Sequence, residues 1–151
     1  MIRIDSAGWP FIGGALALTI GLGLLGGSWL ALPALIVVGL FLFFFRDPDR
    51  HTRAEPDAVV SPADGRVLVA GPAVPEAAPS GSWQQISIFL SPMNVHVNRV
   101  PASGRITKVM FTRGRFLPAY RHDAATTNER SEIWIDHDGQ TIVARQIVPG
   151  I

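Results

Sequence analysis

Two residues in this sequence have the types and surroundings for chemistry. Asp64 lies in Ser61-Pro62-Ala63-Asp64-Gly65, and His96 in Val95-His96-Val97-Asn98-Arg99-Val100-Pro101. A carboxylate that accepts from an imidazole N–H fixes its tautomer and stabilises the imidazolium, which is how an aspartate and a histidine activate a nucleophile. Each also has a plain reading. Asp-Gly is a favoured type I′ turn pair, and a strand histidine is often simply a hydrogen-bonded structural residue. Asn98 and Arg99 are candidates for contacting an anionic substrate group, since a guanidinium suits bidentate recognition of phosphate or carboxylate. His122 sits with Tyr120, Arg121 and Asp123 and could line a substrate pocket, although loop polarity accounts for it equally well. His51, among arginines, reads as solvated, and His137 lies beside a hairpin turn. No histidine pair has close metal-ligand spacing and there is no cysteine, so no metal site is expected.

The elements that must position these residues fall into two regions, 1–55 and 56–151. Asn94 to Val100 alternates, which predicts a strand with His96 and Asn98 on one face and Val95 and Val97 on the other. Short Val/Ile-rich runs predict strands at Val67–Val69, Gln85–Leu90, Gly104–Thr112, Glu132–His137 and Thr141–Val148. Asp138-Gly139 between the last two is a strong hairpin signal. The expected fold is an N-terminal helical hairpin followed by a β-rich, sandwich- or barrel-like α+β domain. The chain stops on an apolar, strand-like segment, so this domain is expected to continue or to be completed by a second chain.

The chain has 151 residues, a formal net charge of +1, and is 48% hydrophobic against 17% charged. The balance of charge gives no reason to expect nucleic acid. The excess apolarity is concentrated between Phe11 and Phe45, a run without a charged residue and far longer than the ~20 residues that cross a bilayer core. Gly26-Gly27-Ser28 predicts a break, giving helices near 10–26 and 30–45 that either span the bilayer or lie as a hairpin in one leaflet. If both helices cross, Arg3, Arg46, Arg50 and Arg53 lie on one side. The positive-inside rule then puts the polar region in the cytoplasm, at the cell membrane.

Phe44-Phe45-Arg46-Asp47-Pro48, Ser61-Pro62-Ala63-Asp64-Gly65, Phe89-Leu90-Ser91-Pro92 through Pro101, Gly114-Arg115-Phe116 and Asn128-Glu129-Arg130 occur in that order. In this the sequence resembles the short bacterial and archaeal form of phosphatidylserine decarboxylase. The resemblance implies a proenzyme in which a glycine-preceded serine near the C-terminus cleaves the chain and becomes a pyruvoyl group on a small subunit. The pyruvoyl ketone forms a Schiff base with the phosphatidylserine amine and serves as electron sink while CO2 leaves, yielding phosphatidylethanolamine. Asp64 matches the aspartate of the self-cleavage relay, and His96 matches a histidine near the pyruvoyl group. In the long form a second histidine follows three residues later and pairs with the aspartate. Arg99 stands there in this chain, so either His96 serves both processing and decarboxylation, the favoured reading, or another group supplies the base.

No glycine-serine pair follows Val148; the pairs present are Gly27-Ser28 and Gly81-Ser82, which read as turns or linkers. The chain is therefore expected to be the large-subunit region, inactive alone, with the pyruvoyl-bearing small subunit, phosphatidylserine and a phospholipid membrane as partners. The competing class is a membrane-anchored β-domain that binds lipid or a protein without catalysis.

Overall fold

The computed structural model describes residues 2–51, 55, 57–73, 78–121 and 123–150. It divides into two compact units, Met1–Thr52 with Leu90–Asn98, and Arg53–Phe89 with Arg99–Ile151.

The first unit is built on α1 (Trp9–Gly26) and α2 (Ser28–Phe44), an antiparallel pair separated by one residue. That residue, Gly27, has φ +78°, a conformation that costs a side chain-bearing residue strain. The helix pair and its glycine break thus agree closely with the expected ranges. Ile12, Ala15 and Val38 form a narrow buried seam, with Ile4 and Phe41 packed against it. Small residues allow close approach, as where Gly23 faces Ala31. The remaining faces are apolar and exposed: Leu25 is 89% and Trp29 71% accessible. Ser6–Gly26 is long and apolar enough to cross a membrane by length and composition, and Ser28–Phe44 is a shorter apolar helix.

The open end of the hairpin is closed in three ways. Phe11 stacks on Phe45 at 5.4 Å and meets Phe41 at 5.8 Å between ring centroids. Strand β1 (Ile2–Ile4) pairs antiparallel with β2 (Arg46–Pro48), and the Asp5 amide donates to the Phe45 carbonyl. The Asp5 carboxylate caps the 3-10 turn Ser6–Gly8 that leads into α1.

The second unit consists of antiparallel β-structure. β3 (Arg66–Pro72) pairs with β4 (Gln84–Phe89), and β5 (Arg105–Thr112), β6 (Arg130–His137) and β7 (Gln140–Ile147) form a sheet ordered β5-β6-β7. Asp138 (φ 50°) and Gly139 (φ 82°) make the type I′ turn expected between β6 and β7, with His137 opposite Gln140. One short helix, α3 (Ala124–Thr127), interrupts the loop before β6. The architecture is thus α+β, with the helix pair first and antiparallel sheets after it.

Two sequence expectations are corrected. Asn94–Val100 is not a strand. Its polar side chains bond locally and prolines bound it, both of which compete with a ladder. Nor is Asp64-Gly65 a type I′ turn. Such a turn needs positive φ at both positions, and among the described non-glycine residues only Asp138 has one.

The centre of the second unit is unusually polar. Asn128 is fully buried and fully engaged: Nδ2 donates to the carbonyls of Leu117 (2.8 Å) and Val148 (3.1 Å), and Oδ1 accepts from the Leu117 amide (2.8 Å). Across the same junction the Arg115 amide donates to the Thr127 carbonyl and the Arg115 carbonyl accepts from the Glu129 amide. At Gly114 a Cβ would collide with the backbone of Thr127 to Glu129, so glycine is required for the approach. Glu132, also buried, pairs with Arg130 (3.2 Å) and with its cross-strand neighbour Arg145 (2.9 Å).

Replacing Asn128 with alanine removes three side chain–backbone hydrogen bonds at once, although the Leu117 carbonyl keeps the Gly150 amide. We expect Asn128→Ala to lower unfolding stability by about 1.5–4.5 kcal/mol, three hydrogen bonds at about 0.5–1.5 kcal/mol each. Denaturant unfolding followed by tryptophan fluorescence measures this; a loss below about 0.5 kcal/mol, the level of a neutral surface change, would show that Asn128 does not hold this junction.

Candidate active site

His96 belongs to the first unit, on a segment anchored to the hairpin's closed end. The segment begins with a tight turn: the Asn94 amide donates to the Ser91 carbonyl, and the Ser91 amide donates to Asn94 Oδ1 at 2.9 Å. Ser-Pro-x-Asn is a turn-forming combination, because serine and asparagine side chains bond their own backbone and proline presets φ. Arg46 then ties the turn to the hairpin. Its Nη1 donates to the Phe43 carbonyl at 2.6 Å, and its Nη2 donates to the Met93 carbonyl at 2.7 Å. The guanidinium carbon lies 3.8 Å from the centroid of the Phe43 ring.

Beyond the turn, Val95 is buried and His96 half-buried. The imidazole stacks on Phe44 at 4.3 Å between centroids, with 30° between planes. Its Nδ1 lies 3.1 Å from the Asn94 carbonyl. A carbonyl only accepts, so Nδ1 must donate, and in the neutral ring Nε2 is left as the acceptor. His96 is therefore held in one tautomer with one basic nitrogen defined. Asn98, the last residue of this unit, is exposed.

Asp64 and Arg99 belong to the second unit. Asp64 is half-buried in the bend of the Ser61–Gly65 motif, where Ser61 Oγ donates to the Ala63 carbonyl at 2.7 Å. The Arg99 amide donates to the Pro62 carbonyl and the Val60 amide to the Pro101 carbonyl, both at 2.8 Å. These two bonds lay the aspartate motif beside the Arg99–Pro101 segment. His122 lies outside the described residues. Its neighbours Arg121 and Asp123 form a bidentate ion pair (2.9 and 3.0 Å) whose hydrogen bonds raise the guanidinium's pKa and lower the carboxyl's.

His137 was missed by sequence reasoning. It is buried at the end of β6, with Nε2 3.1 Å from the Asp57 carbonyl and Nδ1 2.8 Å from the Ser103 carbonyl. Two carbonyl acceptors require two donors, so the charged imidazolium is favoured. The Asp57 carbonyl first and the Ser103 carbonyl second hold its pKa above the ordinary histidine value. No local pattern announces this, because Ser103 is 34 and Asp57 80 positions away. Phe44 and Arg46 were read as the boundary of the apolar run and as part of a family motif, not as contacts of the His96 segment.

The phosphatidylserine decarboxylase family model matches residues 37–150, from within α2 to the end of the β-structure. The chain belongs to the phosphatidylserine decarboxylase family. It is 41% identical over 144 residues to a phosphatidylserine decarboxylase proenzyme from Syntrophotalea carbinolica, covering 93% of this chain and 66% of the relative. Proenzymes of the same name from Chlorobaculum parvum and Solibacter usitatus are 41% and 42% identical, each over 82% of this chain and over 61% and 56% of their own lengths. The chain thus spans less than two thirds of these relatives. The matched region holds all five sequence motifs, with Phe44, Arg46, Asp64 and His96 among them.

The raised pKa of His137 sets a pH dependence. A group whose folded pKa lies above its unfolded value of about 6.5 stabilises fully below that value, and the contribution is lost as pH rises through the folded pKa. Unfolding stability should therefore fall on going from mildly acidic to mildly alkaline pH. His137→Gln should lower the acidic plateau and flatten this slope. A slope unchanged in His137→Gln would assign the dependence to another group.

Proposed function

We propose that this chain is the large-subunit portion of a membrane-bound, pyruvoyl-dependent decarboxylase that converts phosphatidylserine to phosphatidylethanolamine and CO2. The observation that carries this reading is the family match over residues 37–150. The partner is a small subunit bearing the pyruvoyl group. Exposed Ile106, Val109 and Phe111 on β5, an edge strand, support completion of the β-structure into a sandwich-like domain by such a chain.

The apolar hairpin supports a lipid substrate. Its helices are about 25–27 Å long at 1.5 Å per residue, against about 30 Å of hydrocarbon. A helix apolar on every face is suited to lipid rather than water. Arg3 and Arg46 at the closed end, with Arg50 following, favour the cytoplasmic side by the positive-inside rule. In this reading residues 1–55 anchor the enzyme and residues 56–151 supply most of the catalytic domain.

The residues present fit a carbonyl cofactor, because His96 offers a defined basic nitrogen next to an apolar ring. When bound, the pyruvoyl group supplies the electron sink that decarboxylation requires. His96 accepts and returns a proton at Nε2, in processing and again in turnover. Asp64 supplies the carboxylate of the processing relay. Asn98, Arg99 and His122 bind the headgroup, the guanidinium giving charge-assisted bonds to phosphate or carboxylate.

In a full proenzyme containing this chain, His96→Ala should slow self-cleavage or lipid turnover about 100-fold or more, the usual contribution of a general acid–base residue. Gel analysis of cleavage and CO2 release from phosphatidylserine in mixed micelles measure both. An intact proenzyme with no carbonyl group trapped by hydroxylamine would instead support a non-catalytic lipid- or protein-binding role.

A further inference from the structure

The apolar hairpin has a second role besides contact with lipid. We propose that Phe44 and Arg46, at its closed end, are positioning residues that set the ring plane and tautomer of His96. This rests on the reading of His96 as the proton-handling residue, and it adds that the hairpin is a structural part of the site.

The two residues act on different degrees of freedom. Arg46 fixes the backbone. The Phe43 carbonyl belongs to the last turn of α2, where carbonyls lack intrahelical partners and a cation is favoured. With Nη1 held there, Nη2 is aimed at the Met93 carbonyl. That bond fixes the peptide between Met93 and Asn94, and the next carbonyl along, that of Asn94, is the acceptor for His96 Nδ1. Asn94 Oδ1, bound to the Ser91 amide, closes the turn from the other side. Two carbonyls are reached by one side chain at once, each by a separate nitrogen of the rigid guanidinium fork.

Phe44 fixes the ring. A hydrogen bond at Nδ1 alone lets the imidazole swing about the Nδ1···O axis. The Phe44 ring, 4.3 Å away and near parallel, covers one face and removes that freedom. Nε2 then points in one direction. Neighbouring residues at the hairpin's end thus have separate roles. Phe43 and Arg46 hold the turn, and Phe44 holds the ring.

The test reads the imidazole directly and needs no turnover. The full 151-residue chain, labelled with ¹⁵N-histidine, is placed in detergent micelles at alkaline pH, and the ring nitrogens are assigned by long-range ¹H–¹⁵N correlation. Wild type should show His96 predominantly as the Nδ1–H tautomer, with ring protons shifted upfield by Phe44. Arg46→Ala should convert it to predominantly Nε2–H, and Phe44→Leu should abolish the upfield shift while leaving the Nδ1–H tautomer in place. Phe44→Tyr, which keeps the stack, should retain the upfield shift. The signals of His137 in the other unit report that the β-structure is intact. A wild-type Nε2–H tautomer, or an upfield ring-proton shift that survives Phe44→Leu, overturns the proposal, and the Phe44 pair decides alone if Arg46→Ala disturbs the hairpin. Should the tautomer behave as expected while His96→Ala leaves processing and turnover intact, the positioning stands and the catalytic reading of His96 fails.

Discussion

The first unit depends on one guanidinium. Arg46 is the first charge after a long apolar run, and where that run stops the chain must turn, cap its helix and meet water. Arg46 does these things together. It satisfies a last-turn carbonyl of α2, lies over the Phe43 ring and reaches the Met93 carbonyl. Its backbone also enters the two-stranded ribbon opposite Ile4. A cation at a helix C-terminus is favoured by the macrodipole. Here the same cation also joins segments 47 positions apart in sequence. Segment 90–98 belongs to the hairpin's unit rather than to the β-structure that flanks it in sequence, and the Arg46 bond is one direct reason.

The second unit solves a different problem. Its apolar core is thin, and its most buried side chains include Asn128, Glu132 and His137. Buried polar groups are costly unless their hydrogen-bonding capacity is met. All three have partners: Asn128 three backbone groups, Glu132 two guanidinium groups and His137 two carbonyls. Such contacts are directional, so they specify which loops meet, whereas apolar contacts would tolerate many arrangements. The junction of Gly114-Arg115-Phe116 with Asn128-Glu129-Arg130 is fixed in this way. Two motifs that look unrelated in sequence are two sides of one polar clasp.

Local signals were legible and distant ones were not. The helix pair, its break at Gly27 and the Asp138-Gly139 hairpin follow from apolar run length and from residues that tolerate positive φ, both readable within a few positions. The strands β3 to β7 were legible for the same reason. Asn94–Val100 misled because alternation reports which side chains share a face of an extended chain, and an extended chain becomes a strand only when a partner supplies a ladder. Here Asn94 and Ser91 bond each other instead. At the site, His96 was visible through its motif, but its mount was not. Phe44 and Arg46 carry the ordinary signature of a membrane boundary. Nothing local shows that one stacks on an imidazole and the other grips a carbonyl far along the chain. His137 was set aside because a lone histidine beside a turn has no pattern, and its two acceptors come from separate loops.

A histidine mounted on the end of an apolar hairpin has a consequence for lipid chemistry. A soluble enzyme would have to withdraw a phospholipid headgroup from the interface to reach a buried base, separating acyl chains from lipid at roughly 0.8 kcal/mol per methylene exposed. In the proposed function, a base placed where the apolar surface ends would avoid that cost, because the headgroup would already lie at the level where hydrocarbon gives way to water. Phe43, Phe44 and Phe45 would then mark the depth of the hydrocarbon boundary, and Arg46 the first polar layer. In that geometry anchoring and catalysis are not separable modules. In the proposed function, the residues that end the apolar surface are the same ones that hold the imidazole, so a change in how deeply the hairpin sits would move the His96 ring relative to the headgroup plane.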